Sequence, residues 1–248
     1  MKTLILGAAA LALSAGMSLG AETVRIATEG AYPPFNFIND KGEIDGFERK
    51  LGDELCTRAA LTCEWVKNDW DSIIPNLVSS NYDAIMAGMS ITPEREKVIA
   101  FTQNYIPPAD SAYVALKADA NLNGNIAAQT STIQAGHVAE TGATLLEFAT
   151  ADETVAAVRN GEADAVFADR EFLQKIVDES NGELTFAGEP VAIGGGVGMG
   201  LRQSDAELKA TFDKAITSMK CDGSLDKLIV EYFGEKSKVF GEEGKQGC

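Results

Sequence analysis

Hydrophobic and polar positions along the chain follow two periods that keep replacing each other. "TVRIAT" (23–28) alternates every second residue and predicts a strand, and "EGAYPPFNFINDKGEIDG" (29–46), rich in Gly, Pro, Asn and Asp, predicts a loop. "FERKLGDELCTRAA" predicts a helix, "TCEWV" a strand, "DSIIPNLVSS" a second helix with apolar residues at helical spacing, and "YDAIMAG" a short buried strand. Strands interleaved with helices imply a mostly parallel sheet of the α/β class.

The second half repeats the plan. "DETVAAVRNGE" is a capped helix closed by Gly161, and "ADAVFAD" is the strand after it. Asp83-Ala-Ile-Met-Ala-Gly88 matches Asp164-Ala-Val-Phe-Ala-Asp169 in pattern, which suggests two similarly built lobes. Ligands of open α/β sheets meet the carboxyl ends of strands, where Gly88 and Asp169 both fall. Two segments are candidate crossings between lobes: "NYIPPADSAYVAL", with paired prolines, and "AIGGGVGMGLR", with five glycines from Gly194 to Gly200. A chain that crosses twice leaves the first lobe, builds the second and returns, so a cleft lies between them. The remainder, "SDAELKATFDKAITSMKCDGSLDKLIVEYFG", is helical and amphipathic.

The first residues differ in kind. Lys2, an apolar run from Leu4 to Leu13 and small residues at Ser18, Gly20 and Ala21 read as a cleaved secretory signal covering 1–20. The run is shorter than the ~20 apolar residues that span a bilayer, which argues against an anchor. A location outside the cytoplasm is therefore expected. The rest is long enough for one large domain or two of ordinary size. A net charge of −16, from 21 Lys+Arg against 37 Asp+Glu, repels phosphate backbones and anionic lipid, so nucleic acid is not an expected partner.

Four cysteines in an exported chain favour disulfides. Cys56 with Cys63 would staple a helix end to the next strand, and Cys221 with Cys248 would tie down the C-terminus. Zinc is the rival reading, but the spacing is not that of paired CxxC ligands, and the single histidine, His137, lies far away and is expected on a helix surface. No metal or cofactor is expected.

"MSITPEREK" (89–97) contains a misfit. Thr92 suits an N-cap, Pro93 the first helical position, and Glu94 and Glu96 the positive end of the helix dipole. Arg95 puts a cation there instead, tolerable mainly when it pairs with something negative. Glu94, Glu96 or another surface acid would serve.

"ATEGAYPPFNF", "GFERKLGDELC", "DWDSIIPNL", "YDAIMAGMSITPEREKVIAFT" and "DGSLDKLIVEYFG", in this order, resemble the periplasmic polar amino-acid binding proteins of ABC importers. The type most similar is that of the lysine/arginine/ornithine and histidine binders with their opine-binding relatives. The resemblance narrows the location outside the cytoplasm to the periplasm. It also implies two α/β lobes, 21–108 with 197–248 and 109–196, joined by two crossing strands, with the ligand in the cleft. It implies that Arg95 grips a ligand α-carboxylate, met from the other lobe by the helix start at Ser131 and Thr132. Asp169 would take the α-ammonium with Ser90 and the Gly88 carbonyl, while Tyr32 and Trp70 sandwich the side chain. Glu29 would meet its distal positive group, with Glu48 a second candidate on a helix face. The family commonly has glycine where Thr130 stands and a polar residue where Ile133 stands, and its lysine/arginine/ornithine type usually has serines where Ala87 and Gly88 stand. The small residues at 87 and 88 resemble the opine binders and would leave room beside the ligand's amino group.

The implied function is capture of a cationic amino acid, arginine favoured over lysine or ornithine, or of an arginine-derived opine. Delivery to an inner-membrane ABC permease would follow, with the protein acting as a monomer. An enzyme of the cyclohexadienyl dehydratase kind on the same fold is the alternative, with Glu29 or Asp169 as proton donor. A Ser131 that only caps its helix, and an Asp169 that only caps "REFLQKIVDE", are the plainer readings of those two residues.

Overall fold

The computed structural model describes residues 23–248, so the signal segment expected at 1–20 lies outside the described residues. The first pass of the chain forms β1 (Thr23–Thr28), β2 (Ala31–Tyr32), β3 (Asn36–Ile38), β4 (Ile44–Asp45), α1 (Phe47–Arg58), β5 (Thr62–Lys67), α2 (Trp70–Val78), β6 (Ala84–Ile85), α3 (Pro93–Glu96) and β7 (Ala100–Phe101). The middle of the chain forms β8 (Asp110–Ala115), β9 (Asn125–Gln129), α4 (Ile133–Thr141), β10 (Thr144–Phe148), α5 (Ala151–Arg159), β11 (Ala165–Asp169), α6 (Arg170–Glu179) and β12 (Thr185–Ala192). It returns through β13 (Gly200–Leu201) to α7 (Ala206–Asp222) and α8 (Ser224–Phe233).

Two five-stranded sheets result, ordered β5-β1-β6-β13-β7 and β10-β9-β11-β8-β12. In each, the first three strands are parallel, the fourth (β13 or β8) runs against them, and the fifth (β7 or β12) pairs antiparallel with the fourth and so runs with the first three. These last two strands flank the crossings between sheets. The architecture is the α/β, two-lobed periplasmic-binding-protein fold expected, two sheets with flanking helices. The stretch 29–46, expected as a loop, instead holds the small antiparallel sheet β2-β3-β4. Strands of two or three residues among prolines and glycines are too short to show alternation.

The crossings run side by side. Tyr105 N donates to Val197 O at 2.8 Å, and Val197 N donates to Ile106 O at 3.1 Å. Gly196 is required there: φ is 87°, and a β-carbon would stand 2.5 Å from Ile106 O.

The repeat is physical. β6 and β11 are the third strands of equivalent β-α-β-α-β units, and the aspartate before each does the same work. Asp83 Oδ2 accepts from the N–H of Arg25 in β1 at 3.0 Å, and Asp164 Oδ2 accepts from the N–H of Asn125 in β9 at 2.8 Å. Asp83 has more to hold, with ion pairs to Arg25 and Arg202, both at 3.0 Å.

Both expected disulfides are present, Cys56–Cys63 and Cys221–Cys248, which leaves no thiolate for zinc. His137 is not on an open surface; it is half-buried, its ring 5.2 Å from that of Phe167. Among the described residues no helix is long and apolar enough to cross a membrane.

The repeat predicts unequal costs for equivalent changes. Asp83→Ala should destabilise by roughly 2–3 kcal/mol, because it removes the bond to Arg25 N and one ion pair from each of two half-buried arginines, although Arg202 keeps Asp205, and Asp164→Ala by about 1 kcal/mol, the value of an ordinary hydrogen bond. Urea unfolding of both variants measures the difference.

Candidate functional site

A cavity lies where the carboxyl ends of β1 and β6 face those of β9 and β11, beside the points at which strand order reverses in each sheet. It encloses about 330 Å3, part of it open to solvent, and is lined by Glu29, Tyr32, Trp70, Ala87, Gly88, Ser90 and Arg95 from one lobe and Gln129, Thr132, Ile133, Gln134 and Asp169 from the other. The expected site residues are thus brought together, except Ser131 and Glu48.

Thr92 caps α3 through a bond from Arg95 N at 3.2 Å, and Pro93 follows it. The short helix aims the Arg95 side chain into the cleft. Nη1 donates to Ser90 O at 2.8 Å, Nη2 donates to Ser131 O at 3.2 Å, and the guanidinium lies 5.3 Å from the centre of the Trp70 ring. Among the described residues no carboxylate comes within 4.0 Å of it, so neither Glu94 nor Glu96 is its partner. Burial pushes its pKa down to about 10, with the more distant Asp169 acting the other way.

Asp169 stands at the start of α6 but makes no capping bond; its carboxylate turns into the cleft instead. Oδ2 accepts from the Tyr32 hydroxyl at 2.8 Å, and Oδ1 accepts from Gln134 Nε2 at 3.0 Å. Burial raises its pKa, against the pull of those two donors and of Arg95. Tyr32 reaches it across the cleft and stacks on Phe172 of α6, ring centres 4.3 Å apart and 11° from parallel.

Glu29 follows β1, and its counterpart in the repeat, Gln129, ends β9. The two meet across the cleft: Gln129 Nε2 donates to Glu29 Oε1 at 2.7 Å. Glu29 is 5% exposed, and burial raises its pKa to about 7, with Gln129 opposing and Asp69 and Asp152 adding to the rise. Trp70 opens α2 and donates from Nε1 to Thr130 O of the other lobe at 3.0 Å. It packs on the first lobe's core with Ile73 and Leu77 and also walls the cavity, so its structural and site roles coincide.

Two expectations need correction, those for Ser131 and Glu48, and Gly88 gains a backbone reason. Ser131 is exposed and does not cap its helix; at φ 58° it turns the chain and offers only its carbonyl, to Arg95. Thr132 is the cap, accepting from Ala135 N at 3.1 Å, and the first-turn N–H groups of Ile133 and Gln134 have no intrahelical acceptor. Glu48 is neither solvated nor on the cavity; it is fully buried beneath it, because the small sheet β2-β3-β4 covers the start of α1. Gly88 answers first to its backbone, at φ 62°, and a β-carbon there would meet Tyr32 and Phe35 at 3.5 and 3.8 Å.

Gln129 and Gln134 were not singled out by sequence. Residues 25–29 and 125–129, Arg-Ile-Ala-Thr-Glu and Asn-Ile-Ala-Ala-Gln, are the signal that finds Gln129, as the equivalent of Glu29.

Residues 24–235 match the model of the bacterial extracellular solute-binding proteins, family 3. The lysine/arginine/ornithine-binding periplasmic protein of Escherichia coli K12 is 34% identical, over 90% of this chain and 95% of that protein. The octopine-binding periplasmic protein of Rhizobium meliloti is also 34% identical, over 82% of each. A solved periplasmic His/Glu/Gln/Arg/opine family-binding protein from Silicibacter pomeroyi, in complex with lysine, is 71% identical with a TM-score of 0.87, over 87% of this chain and 99% of that one. A match over most of the chain, carried by a cleft of this composition, means that the chain belongs to the bacterial extracellular solute-binding proteins of family 3.

Proposed function

We propose that the protein captures a cationic amino acid in the periplasm, arginine in preference to lysine or ornithine, and passes it to an inner-membrane ABC permease. One observation carries the reading: the cavity is lined by one cation, the half-buried Arg95, and two carboxylates, the half-buried Asp169 and the buried Glu29, and among the described residues none has an ion partner within 4.0 Å. A cationic amino acid supplies the complement, a carboxylate for Arg95, an α-ammonium for Asp169 and a distal cation for Glu29. The relatives' printed ligands, lysine, arginine, ornithine and octopine, fall in the same class or derive from it.

Lobes of 21–108 with 197–248 and 109–196 fit this role, since cavity-lining residues come from both and the two crossings at 105–106 and 196–197 run side by side, where a hinge between the lobes would lie. Closure would bring Glu29 to Gln129 and Tyr32 to Asp169, so ligand and protein contacts favour the same form. Transfer to a permease as a monomer, without chemical change, completes the proposal. Arginine incubated with the protein should be recovered unaltered.

Calorimetry should show arginine binding most tightly, lysine next, octopine accommodated, and neutral amino acids and glutamate poorly, since glutamate sets a carboxylate against Glu29. Arg95→Ala should lose roughly 2–5 kcal/mol of arginine affinity by leaving the ligand carboxylate buried and unpaired. Glutamate as the best ligand contradicts the cationic reading; failure of octopine alone removes only the opine.

Glu29 adds a pH dependence of known sign. Its carboxyl titrates at about 7 in the folded protein against an ordinary value of 4.5, so the folded chain holds this proton more tightly than the unfolded one. That stabilisation is fully present below 4.5 and is lost as pH rises through 7. Glu29→Gln should therefore raise ligand-free stability at alkaline pH by roughly 1–3 kcal/mol and leave it unchanged in acid. Arginine favours the ionised form, so wild-type affinity should climb from mildly acidic to neutral pH, and Glu29→Gln should flatten that climb. Urea unfolding and calorimetry across this range read both effects.

A further inference from the structure

Glu48 has the environment of a residue with a task. It is 0% exposed, and among the described residues no cation lies within 4.0 Å of it. A carboxylate buried without a counter-ion is costly unless hydrogen bonds compensate. Three neutral donors do so here. Oε1 accepts from Gly88 N at 2.7 Å and from the Tyr105 hydroxyl, and Oε2 accepts from Asn36 Nδ2 at 2.7 Å. Asn36 is itself fully buried and passes the bond on: its Oδ1 accepts from Gly30 N at 2.7 Å.

The ends of this chain of bonds matter. Gly30 adjoins Glu29, Gly88 lies on the cavity wall, and both stand in left-handed conformations, φ 71° and 62°. Neither glycine is itself paired in a strand: Gly30 lies between the end of β1 at Thr28 and the start of β2 at Ala31, and Gly88 between the end of β6 at Ile85 and the bridge from Ser90 to Val197. Tyr105 anchors the third corner in the first crossing, where its own N–H donates to Val197 O of the second. We propose that Glu48 is a positioning residue for ligand binding: its carboxylate, through Asn36, fixes the Gly30 and Gly88 loops on two sides of the cleft and ties them to the crossing at Tyr105. This rests on the reading of the cleft as an amino-acid site.

The bond polarity supplies the test. In Glu48→Gln the carbonyl must stay with the Gly88 N–H, which turns the new amide N–H2 toward Asn36 Nδ2, donor against donor. Flipping Asn36 moves the conflict to Gly30 N–H, so one buried N–H loses its acceptor in either arrangement. Adding Asn36→Asp restores every bond, because the carboxylate at position 36 then accepts from both the new side-chain amide at position 48 and the Gly30 N–H. Ordinary packing roles do not produce this pattern of rescue.

Wild type, E48Q, N36D and the E48Q/N36D double variant are compared by arginine calorimetry and by amide hydrogen exchange at Gly30 and Gly88 without ligand. E48Q should weaken arginine about tenfold or more and speed exchange at Gly30; N36D alone, which sets two carboxylates together, should also weaken it; the double variant should recover most of the affinity and the protection. If E48Q does not fold, a folded, arginine-binding double variant still supports the proposal, and a double variant that fails as well overturns it. Wild-type affinity and exchange in E48Q, or no recovery in the double variant, also overturns it. If the wild type binds no arginine, the ligand reading fails, and the exchange measurements still decide whether Glu48 fixes the two loops.

Discussion

A half-buried guanidinium that faces a cleft without a counter-charge is the constraint around which the rest of this protein is arranged. Arg95 keeps only two carbonyls, one from each lobe, and the Trp70 face, and burial depresses its pKa to about 10. Such a group gains more from a carboxylate that reaches it than a fully exposed arginine would, because less water competes. Asp169 and Glu29 are the opposite case in the same cavity, carboxylates raised in pKa by the same loss of water. The site is thus kept in electrostatic deficit, which a zwitterion with an added positive group is suited to relieve.

The scaffold produces this by using one unit twice. In each lobe the first and third strands of the unit end side by side, so Glu29 and Gly88 from one copy face Gln129 and Asp169 from the other. Aspartates 83 and 164 lock the opposite ends of those strands, which keeps the site end free for function. Each lobe donates to the other directly, Gln129 to Glu29 and Tyr32 to Asp169, so the cleft side chains are oriented by the partner lobe as well as by their own loops. Glu29 in particular is a compromise, a group that weakens the folded chain when ionised and is kept where an ionised group is wanted.

Much of this was legible in sequence, and the parts that were not share a cause. Arg95 stood out because a cation conflicts with the first turn of a helix, and Asp169 through the resemblance and its place at the carboxyl end of an apolar strand, where a helix cap was the plainer reading. The paired cysteines needed only their spacing and number. Gln129 and Gln134 carry no charge to make them conspicuous, and only the relation between the two halves reveals the first. Glu48 misleads for a physical reason: an acid in the first turn of α1 looks like dipole compensation on a wet surface, and its burial depends on β2-β4, strands too short to leave a pattern. Gly88 looked like removed bulk, and its left-handed φ adds a backbone reason for glycine that no sequence pattern shows.

The most direct measurement is a crystal structure of the protein grown with arginine. The account predicts one ligand in the cleft, its α-carboxylate on the Arg95 guanidinium and the first turn of α4, its ammonium at Asp169 and its guanidinium at Glu29. A ligand bound outside the cleft, or one reversed so that its carboxylate faces Glu29, would contradict it.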